Sequence, residues 1–418
     1  MDAAIGHSPY ETVCRELDLR RRVALGFERI EALLELLGDP HRSLETVQVV
    51  GTNGKGTTAV ALMHALEATG RSSGAYLSPH VLTYTERIIL RRLFVSEEEF
   101  AAAMGKTIEV ADANRVPATQ FELLTAGALL MFRDAGLEWA VLEAGLGARH
   151  DATSAAEARA VVLTNVGLDH TEYLGDTVEE IAEEKLASLR PGATLILGTD
   201  DSRVVAAARR AGERVGTRIV EHKEAGGFNT VGDIPYLARN ERLGVRATEV
   251  LIGRPLRRDE RSSALAAARG MRLPARYETH EVRGVPVVVD GGHNTEGLEA
   301  ALGAVRAMYG DRPLGVVFGA LKGKDITSML NTLEREANVL VLARPANDEG
   351  RALDPKWIEE EYGPRDSGGR RALVVDDTGD ALRFAVGEME KVDGVVLVTG
   401  SLYTGAGALR WLRGDSHG

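Results

Sequence analysis

Residues 51–58 read Gly-Thr-Asn-Gly-Lys-Gly-Thr-Thr, between the apolar run VQVV and a segment, AVALMHALEATG, with the spacing of a helix. Three glycines, a lysine and three threonines at a strand-to-helix turn constrain the fold more than anything else in the chain. Such a turn lets successive backbone N–H groups point into one concavity at the positive end of the helix, where an anion fits. Gly51, Thr52, Asn53, Gly54 and Gly56 would form the cradle, Lys55 would meet terminal phosphates, and a threonine hydroxyl would ligate Mg²⁺. A nucleoside triphosphate is the ligand this loop suits. The spacing departs from G-x-x-x-x-G-K-[ST] in placing Gly56 between Lys55 and Thr57. Thr57 is read as the metal ligand, with Thr58 the second choice. An Asn-Gly hairpin is the rival reading, but the next segment does not look like a partner strand.

A strand-turn-helix unit of this kind belongs in an α/β fold, and the rest of the chain agrees. β-branched apolar runs recur at 46–50, 139–145, 160–167, 193–198, 285–292, 314–320, 338–344 and 393–400, with helix-like segments such as TVEEIAEEKLASL and EGLEAALGAVRAMYG between them. Strands apolar on both faces suit parallel sheets covered by helices on each side. At 418 residues the chain is longer than one core usually grows, so two domains are expected. The stretch from about 222 to 275 is rich in Gly, Pro and Arg, which places the boundary at 270: domains 1–270 and 271–418. Residues 363–373 read as a surface loop.

The net charge of −12 is spread without a basic block, which argues against nucleic acid or an anionic membrane as partner. A single cysteine, Cys14, excludes a disulfide framework and a thiolate metal cluster. No apolar run reaches membrane-spanning length. The expectation is a soluble, cytoplasmic, monomeric protein acting on small molecules.

Other chemistry-bearing residues fall where strands end. Glu143 closes WAVLEAG, and Asp169 and His170 follow the next strand, so both edges could face a nucleotide and complete a hard-cation site. A histidine after a strand is as often a loop or cap residue. Lys185, in IAEEKLASL, reads by itself as a solvated lysine among glutamates. In the second half, VVVDGGHNTEG and VVLVTGSLYTG put Asp290, His293, Asn294, Ser401 and Tyr403 beside helix starts, where anionic ligands are received. Ordinary βα turns would look the same.

Taken together, VVGTNGKGTT, LSPHVLTYTERI, TQFELLTAGAL, EAGLGARHDAT, TNVGLDHTEYLGDTVEEIAEEK, DGGHN and VTGSLYTGAGALR make the chain resemble, nearly end to end, the folylpolyglutamate synthase and dihydrofolate synthase family of the Mur ligase group. The resemblance implies an N-terminal P-loop ATP-binding domain with a parallel sheet, a smaller C-terminal Rossmann-like α/β domain, and a site in the cleft between them. It implies an ATP-dependent, ADP-forming ligase that joins glutamate to a folate-like acid through an acyl phosphate. By the same resemblance Thr57, Ser78, Glu143 and His170 would surround Mg²⁺, two ions in all, and Lys185 would be carbamylated. Arg276 and Asp290 would reach ATP. His293, Ser401 and Tyr403 would serve the amino acid and Arg87 the acid; a pteridine needs an aromatic or apolar slot, and Tyr84 and Phe121 could line one or equally be core residues. His170 and His293 are the candidates to take the amine's proton.

Several positions depart from the family pattern. GGRLDATN is GARHDATS, with His150 and Ser154; EKAGI is EKLAS; PGR is PAR; NERI is TERI. The His-Gln-x-x-Asn motif, whose asparagine helps to hold adenine, is aligned with Asn240-Glu241-Arg242-Leu243-Gly244, so Gly244 stands where the asparagine is expected. On that alignment GTP would support ligation within about a hundredfold of ATP. The alternatives are a ligase of the same chemistry that joins an amino acid to a non-folate carboxylic acid in a specialised pathway, and a P-loop kinase without ligation, which has little use for DGGHN and TGSLY.

Overall fold

A computed structural model describes residues 7–222, 233–346, 350–362 and 372–414. The chain forms two compact units, Met1–Phe228 with Arg239–Met271, and Asn229–Ala238 with Arg272–Gly418. One cut near 270 does not capture this, because Asn229–Ala238 goes with the second unit.

The first unit is built on strands β1 (Glu45–Val50), β2 (Ser73–Tyr76), β3 (Ile88–Leu90), β4 (Leu93–Phe94), β5 (Trp139–Glu143), β6 (Ala160–Leu163), β7 (Thr194–Leu197) and β8 (Arg218–Glu221), in the order β4-β3-β2-β5-β1-β6-β7-β8. All neighbours are parallel except β2–β3 and β3–β4. In β1 every residue after Glu45 is buried, and β5 and β6 are buried throughout, as parallel strands covered on both faces must be. Val49 pairs with Glu143 and Val50 with Leu163, so the carboxyl ends of β5, β1 and β6 lie side by side. That edge receives Gly51, Glu143 and Thr164.

The helix Lys55–Ala68 leaves that edge and is buried continuously from Thr58 to Leu66, as a helix covered on all sides should be. Ala65 packs with Val245, Leu256 and Ala264 of the helices Pro235–Ile252 and Arg258–Gly270. These helices occupy much of the Gly-, Pro- and Arg-rich stretch in which no strong pattern was read. Gly244 sits at the helix crossing: a Cβ there would lie 2.7 Å from Thr58 O and from Leu62 N.

The second unit carries β9 (Glu278–Val282), β10 (Val285–Val289), β11 (Leu314–Phe318), β12 (Val339–Leu342), β13 (Leu373–Val374) and β14 (Val395–Thr399), in the order β13-β12-β11-β14-β10-β9. Only the β9–β10 pair is antiparallel. Its core joins Val288, Val316, Phe318 and Leu397 to Leu298, Met329 and Leu333 on the covering helices. Both units are thus α/β with mostly parallel sheets. All eight apolar runs read from the sequence contain strands, whereas β2, β3, β4, β8, β9 and β13 were not read. β2 shows why: its sequence is SGAY, and Gly74 is required because a Cβ would meet the Phe132 ring at 2.6 Å. Of the surface loop read at 363–373, residues 363–371 lie outside the described residues, and Leu373–Val374 is the edge strand β13. No helix among the described residues is long and apolar enough to cross a membrane.

Candidate active site

The turn after β1 is held open by its neighbours. Gly51 has φ +147 and no room for a side chain, since a Cβ would fall 1.9 Å from Thr164 Oγ1. Thr52 N donates to Asn165 O at 2.9 Å, Asn53 N to Asn165 Oδ1 at 2.8 Å, and Thr164 Oγ1 to Asn53 O at 2.7 Å. The β6 loop therefore fixes the outer wall of the turn. Gly54, at φ +79, is the helix N-cap and offers no side-chain acceptor, so no side chain of the cap residue blocks the mouth of the helix.

Two lysines converge on the base of this turn. Lys55 Nζ donates to Gly51 O and Thr52 O, both at 3.2 Å, and Lys185 Nζ donates to Gly51 O at 2.9 Å. Lys185 is buried, not a solvated lysine among glutamates. Burial, reinforced by the positive charge of Lys55, pushes its amine down to about 7, against the opposing pull of Asp169, Asp151 and Glu184.

The metal residues expected from the sequence are brought together in part. Ser78 N donates to Glu143 Oε2 at 3.0 Å, and Ser78 Oγ is buried without a hydrogen-bond partner. Thr58 Oγ1 is buried and unpartnered in the same way, while Thr57 is half-buried. His170 adopts φ +51 at the start of the helix Thr171–Leu174, with Nε2 3.9 Å from Asp169 Oδ2. Among the described residues no three His, Cys, Asp or Glu side chains form a metal group. Ser78 with Glu143 thus sets a hydroxyl-bearing residue beside a carboxylate, donor types that hard cations accept. Asp151, which sequence reading missed as a site residue, accepts from Gly145 N, Leu146 N and Thr153, and burial pushes its carboxyl up. It shapes the loop after Glu143.

In the second unit the turn after β10 is closed by its own side chains. Asp290 Oδ1 accepts from Gly292 N at 2.9 Å, and its Oδ2 accepts from Tyr277 N at 2.9 Å and Tyr236 Oη at 2.5 Å. Asn294 caps the helix Thr295–Tyr309 by accepting from Gly297 N. His293 Nδ1 lies 3.1 Å from Gly291 O, and since a carbonyl only accepts, Nδ1 is the donor in that contact. The β14 loop joins this turn through Gly400 N, which donates to Gly292 O at 2.9 Å. Arg276 Nη1 lies 2.9 Å from the point a Gly291 Cβ would occupy.

Several residues assigned to substrates are placed otherwise. Ser401 is 1% exposed, caps the helix Leu402–Arg413 and spends its hydroxyl on Thr404 N and Thr404 Oγ1. Tyr84 is a core residue whose hydroxyl donates to Asp18 Oδ1 and accepts from Gln120 Nε2, both at 2.5 Å. Arg87 is buried and donates Nε to His80 Nδ1 at 2.8 Å. Tyr403 is half-buried, on the first turn of the helix that Ser401 caps. Phe121 does stand at the strand edge, its ring 2.8 Å from where a Gly145 Cβ would be. Gly244 faces a helix, whereas Asn240, one turn earlier, lies against the phosphate loop with its amide 2.3 Å from where a Gly54 Cβ would be.

This pair of glycine-rich turns on separate α/β units is matched by a model of the Mur ligase middle domain over residues 49–234 and one of the Mur ligase glutamate ligase domain over residues 275–402. The Escherichia coli dihydrofolate synthase/folylpolyglutamate synthase is 31% identical over 332 residues, 75% of this chain and 76% of that protein. The chain belongs to the folylpolyglutamate and dihydrofolate synthase family of Mur ligases. Within this family, the Mycobacterium tuberculosis folylpolyglutamate synthase structure with ADP and AMPPCP superposes at a TM-score of 0.86 with 26% identity, covering 97% of this chain and 98% of that one. A bifunctional folylpolyglutamate/dihydrofolate synthase with Mn, AMPPNP and L-glutamate bound matches at a TM-score of 0.84 and 26% identity, over 97% and 98% of the two chains. The β1 turn lies in the part matched to the middle domain, and the β10 and β14 turns in the part matched to the glutamate ligase domain.

Proposed function

We propose that this protein is an ATP-dependent, ADP-forming ligase that joins glutamate to a folate-type acid through an acyl phosphate. The observation that carries the reading is the convergence of Lys55 and Lys185 on Gly51 O beneath an uncapped helix start. A carboxylate is a poor electrophile, because oxide would have to leave. Transfer of the γ-phosphoryl group to it makes a leaving group that an amine can displace. Lys55 and the backbone N–H groups of the turn would neutralise the charge that builds on the transferring phosphate, and preorganised charge of this kind is usually the largest catalytic contribution.

Ser78 Oγ, Thr57 or Thr58, and Glu143 would hold Mg²⁺, with His170 beside them. The orphaned hydroxyls of Ser78 and Thr58 fit that group. Mg²⁺ supplies charge neutralisation at the β- and γ-phosphates. An amine held near neutrality is the form that captures CO₂, so the depressed Lys185 supports a carbamate there. His293 Nε2 would accept the proton of the incoming amino group. Asn240, whose amide lies beside Gly54 while Gly244 is packed against Thr58 and Leu62, would make the adenine contact in place of position 244 and favour ATP over GTP.

The test is product mass from ATP, Mg²⁺ and glutamate with dihydropteroate, tetrahydrofolate, or a panel of other acids. A glutamyl adduct on a pteridine acid with one ADP per bond is expected; ADP formation without any adduct would leave only a nucleotide hydrolase. A second reading, the same chemistry on a non-folate acid, rests on His150, whose ring packs 6.3 Å from Phe27. The departure at Ser154, in the same motif, is internal: its hydroxyl donates to Ala148 O and accepts from Gln48.

A further inference from the structure

Arg276 sits in a turn that an unaided chain would not adopt. Ala275 has φ +52 and Tyr277 φ +48, so left-handed, non-glycine residues stand on both sides of it. A bulky aromatic in that region is a genuine outlier, and such conformations persist only where the surroundings over-determine them. Here the surroundings are the β10 turn. Asp290 Oδ2 accepts Tyr277 N, Ala275 O accepts Gly291 N at 2.8 Å, and Ala275 N donates to Glu278 Oε2 at 3.2 Å. Arg276 Nη1 folds back to Ala275 O at 3.2 Å and lies over Gly291.

One side chain from outside both turns completes this arrangement. Tyr236, on the first turn of the helix Pro235–Ile252, donates its hydroxyl to the same Oδ2 that receives Tyr277 N. Burial and the Asp290 charge push the phenol well up, so it stays protonated and remains a donor. With Gly292 N on Oδ1, the carboxylate has three donors that fix its plane. We propose that Tyr236 is a positioning residue for the nucleotide site: by orienting the Asp290 carboxylate it holds the 275–277 turn and thereby aims the Arg276 guanidinium. The inference rests on the reading that Arg276 reaches ATP. Nothing in the sequence around Tyr236 announces it, since a Tyr at a helix start is ordinarily a packing residue.

The test is a double-mutant cycle on ADP formation with Tyr236→Phe, Arg276→Ala and the pair, measuring KM for ATP and kcat separately. Arg276→Ala is expected to raise the nucleotide KM at least about tenfold, in line with loss of a charge-assisted contact. Tyr236→Phe should raise it about fivefold to tenfold while kcat changes less than about threefold, because one hydrogen bond to a charged group is lost without any reacting atom being touched. In the Arg276→Ala background Tyr236→Phe should add less than about twofold, since its effect runs through the arginine. Equal effects of Tyr236→Phe in both backgrounds, or a fall in kcat alone, would overturn the positioning role while leaving the ligase intact. An Arg276→Ala enzyme with unchanged KM would remove the arginine from the nucleotide site and the inference with it. Thermal melting checks that Tyr236→Phe is folded; if it is not, the same cycle is run with Asp290→Asn, which keeps the shape of the acceptor and weakens its hold on its three donors.

Discussion

The turn after β1 and the turn after β10 both leave a buried parallel strand through glycines and start a helix, yet their polar groups are used in opposite ways. After β1 the N-cap is Gly54, with no side-chain acceptor, and the lysine amines bond backbone carbonyls at its base. After β10 the N-cap is Asn294, which takes Gly297 N, and Asp290 takes Gly292 N. The first turn leaves its helix start without a side-chain cap. The second fills its own with a carboxylate and an amide. A glycine-rich strand-to-helix turn is therefore not by itself an anion site; the residue at the N-cap decides.

The largest expected effect tests the open turn. Lys55→Met should lower ATP turnover a hundredfold or more while far-UV circular dichroism and the melting temperature stay near the wild type. Near-normal phosphate release from a folded variant would remove the anion role from this turn. Lys185→Ala should be nearly inactive and partly recovered by acetate or formate, which can occupy the vacated space beside Gly51; absence of any recovery would speak against a carbamate.

The same lysine predicts a pH effect on stability. Its amine is held down to about 7 in the fold, against an ordinary 10.5. Between those values the unfolded chain binds the extra proton, so the cost of burying Lys185 is smallest near pH 10.5 and fully present below about pH 7. In CO₂-free buffer, Lys185→Met should therefore gain stability over the wild type as the pH is lowered across that window. Urea midpoints for the two proteins that run parallel across it would contradict the burial.

Two further substitutions sharpen the contrast between the helix neighbours of the open turn. Gly244→Asn should destabilise the first unit by about 2 kcal/mol or more, read in urea, because its Cβ would press on Thr58 O and Leu62 N, backbone atoms that cannot yield. Asn240→Ala should leave stability within about 1 kcal/mol of the wild type but lower the ATP-over-GTP ratio of kcat/KM about tenfold or more. If instead Gly244→Asn folded normally and sharpened base choice, the adenine contact would belong at 244. The smallest effect belongs to the closed turns: Ser401→Ala, a lost N-cap, should cost about 1 kcal/mol of stability and leave KM for glutamate unchanged. A large rise in that KM would return Ser401 to the amino-acid site.

What the sequence determined by itself was whatever depends on neighbours along the chain. The phosphate loop is contiguous, its glycines are demanded by local backbone geometry, and the buried strands announce themselves by runs of Val, Leu and Ile; the fold class and a nucleotide ligand follow from these, whereas the reaction class came from the family resemblance of the ordered motifs. Short strands such as SGAY stayed invisible because their fit depends on a ring from the helix Gln120–Asp134. The tertiary structure decided which polar groups are still available. Tyr84 and Ser401 look like ligand residues in the chain, but Asp18, Gln120 and Thr404 occupy their hydroxyls, and Arg87 is buried with its Nε on His80. Lys185 looks solvated among glutamates, but residues 134 positions away bury it against Gly51. Asn240 and Gly244 differ by one helical turn, and only packing against the helix Lys55–Ala68 shows that the glycine is there for closeness and the asparagine for the loop. Hydrogen bonding saturates and space is exclusive, so the availability of a side chain depends on partners brought together from distant parts of the chain, a property that no local stretch of sequence encodes.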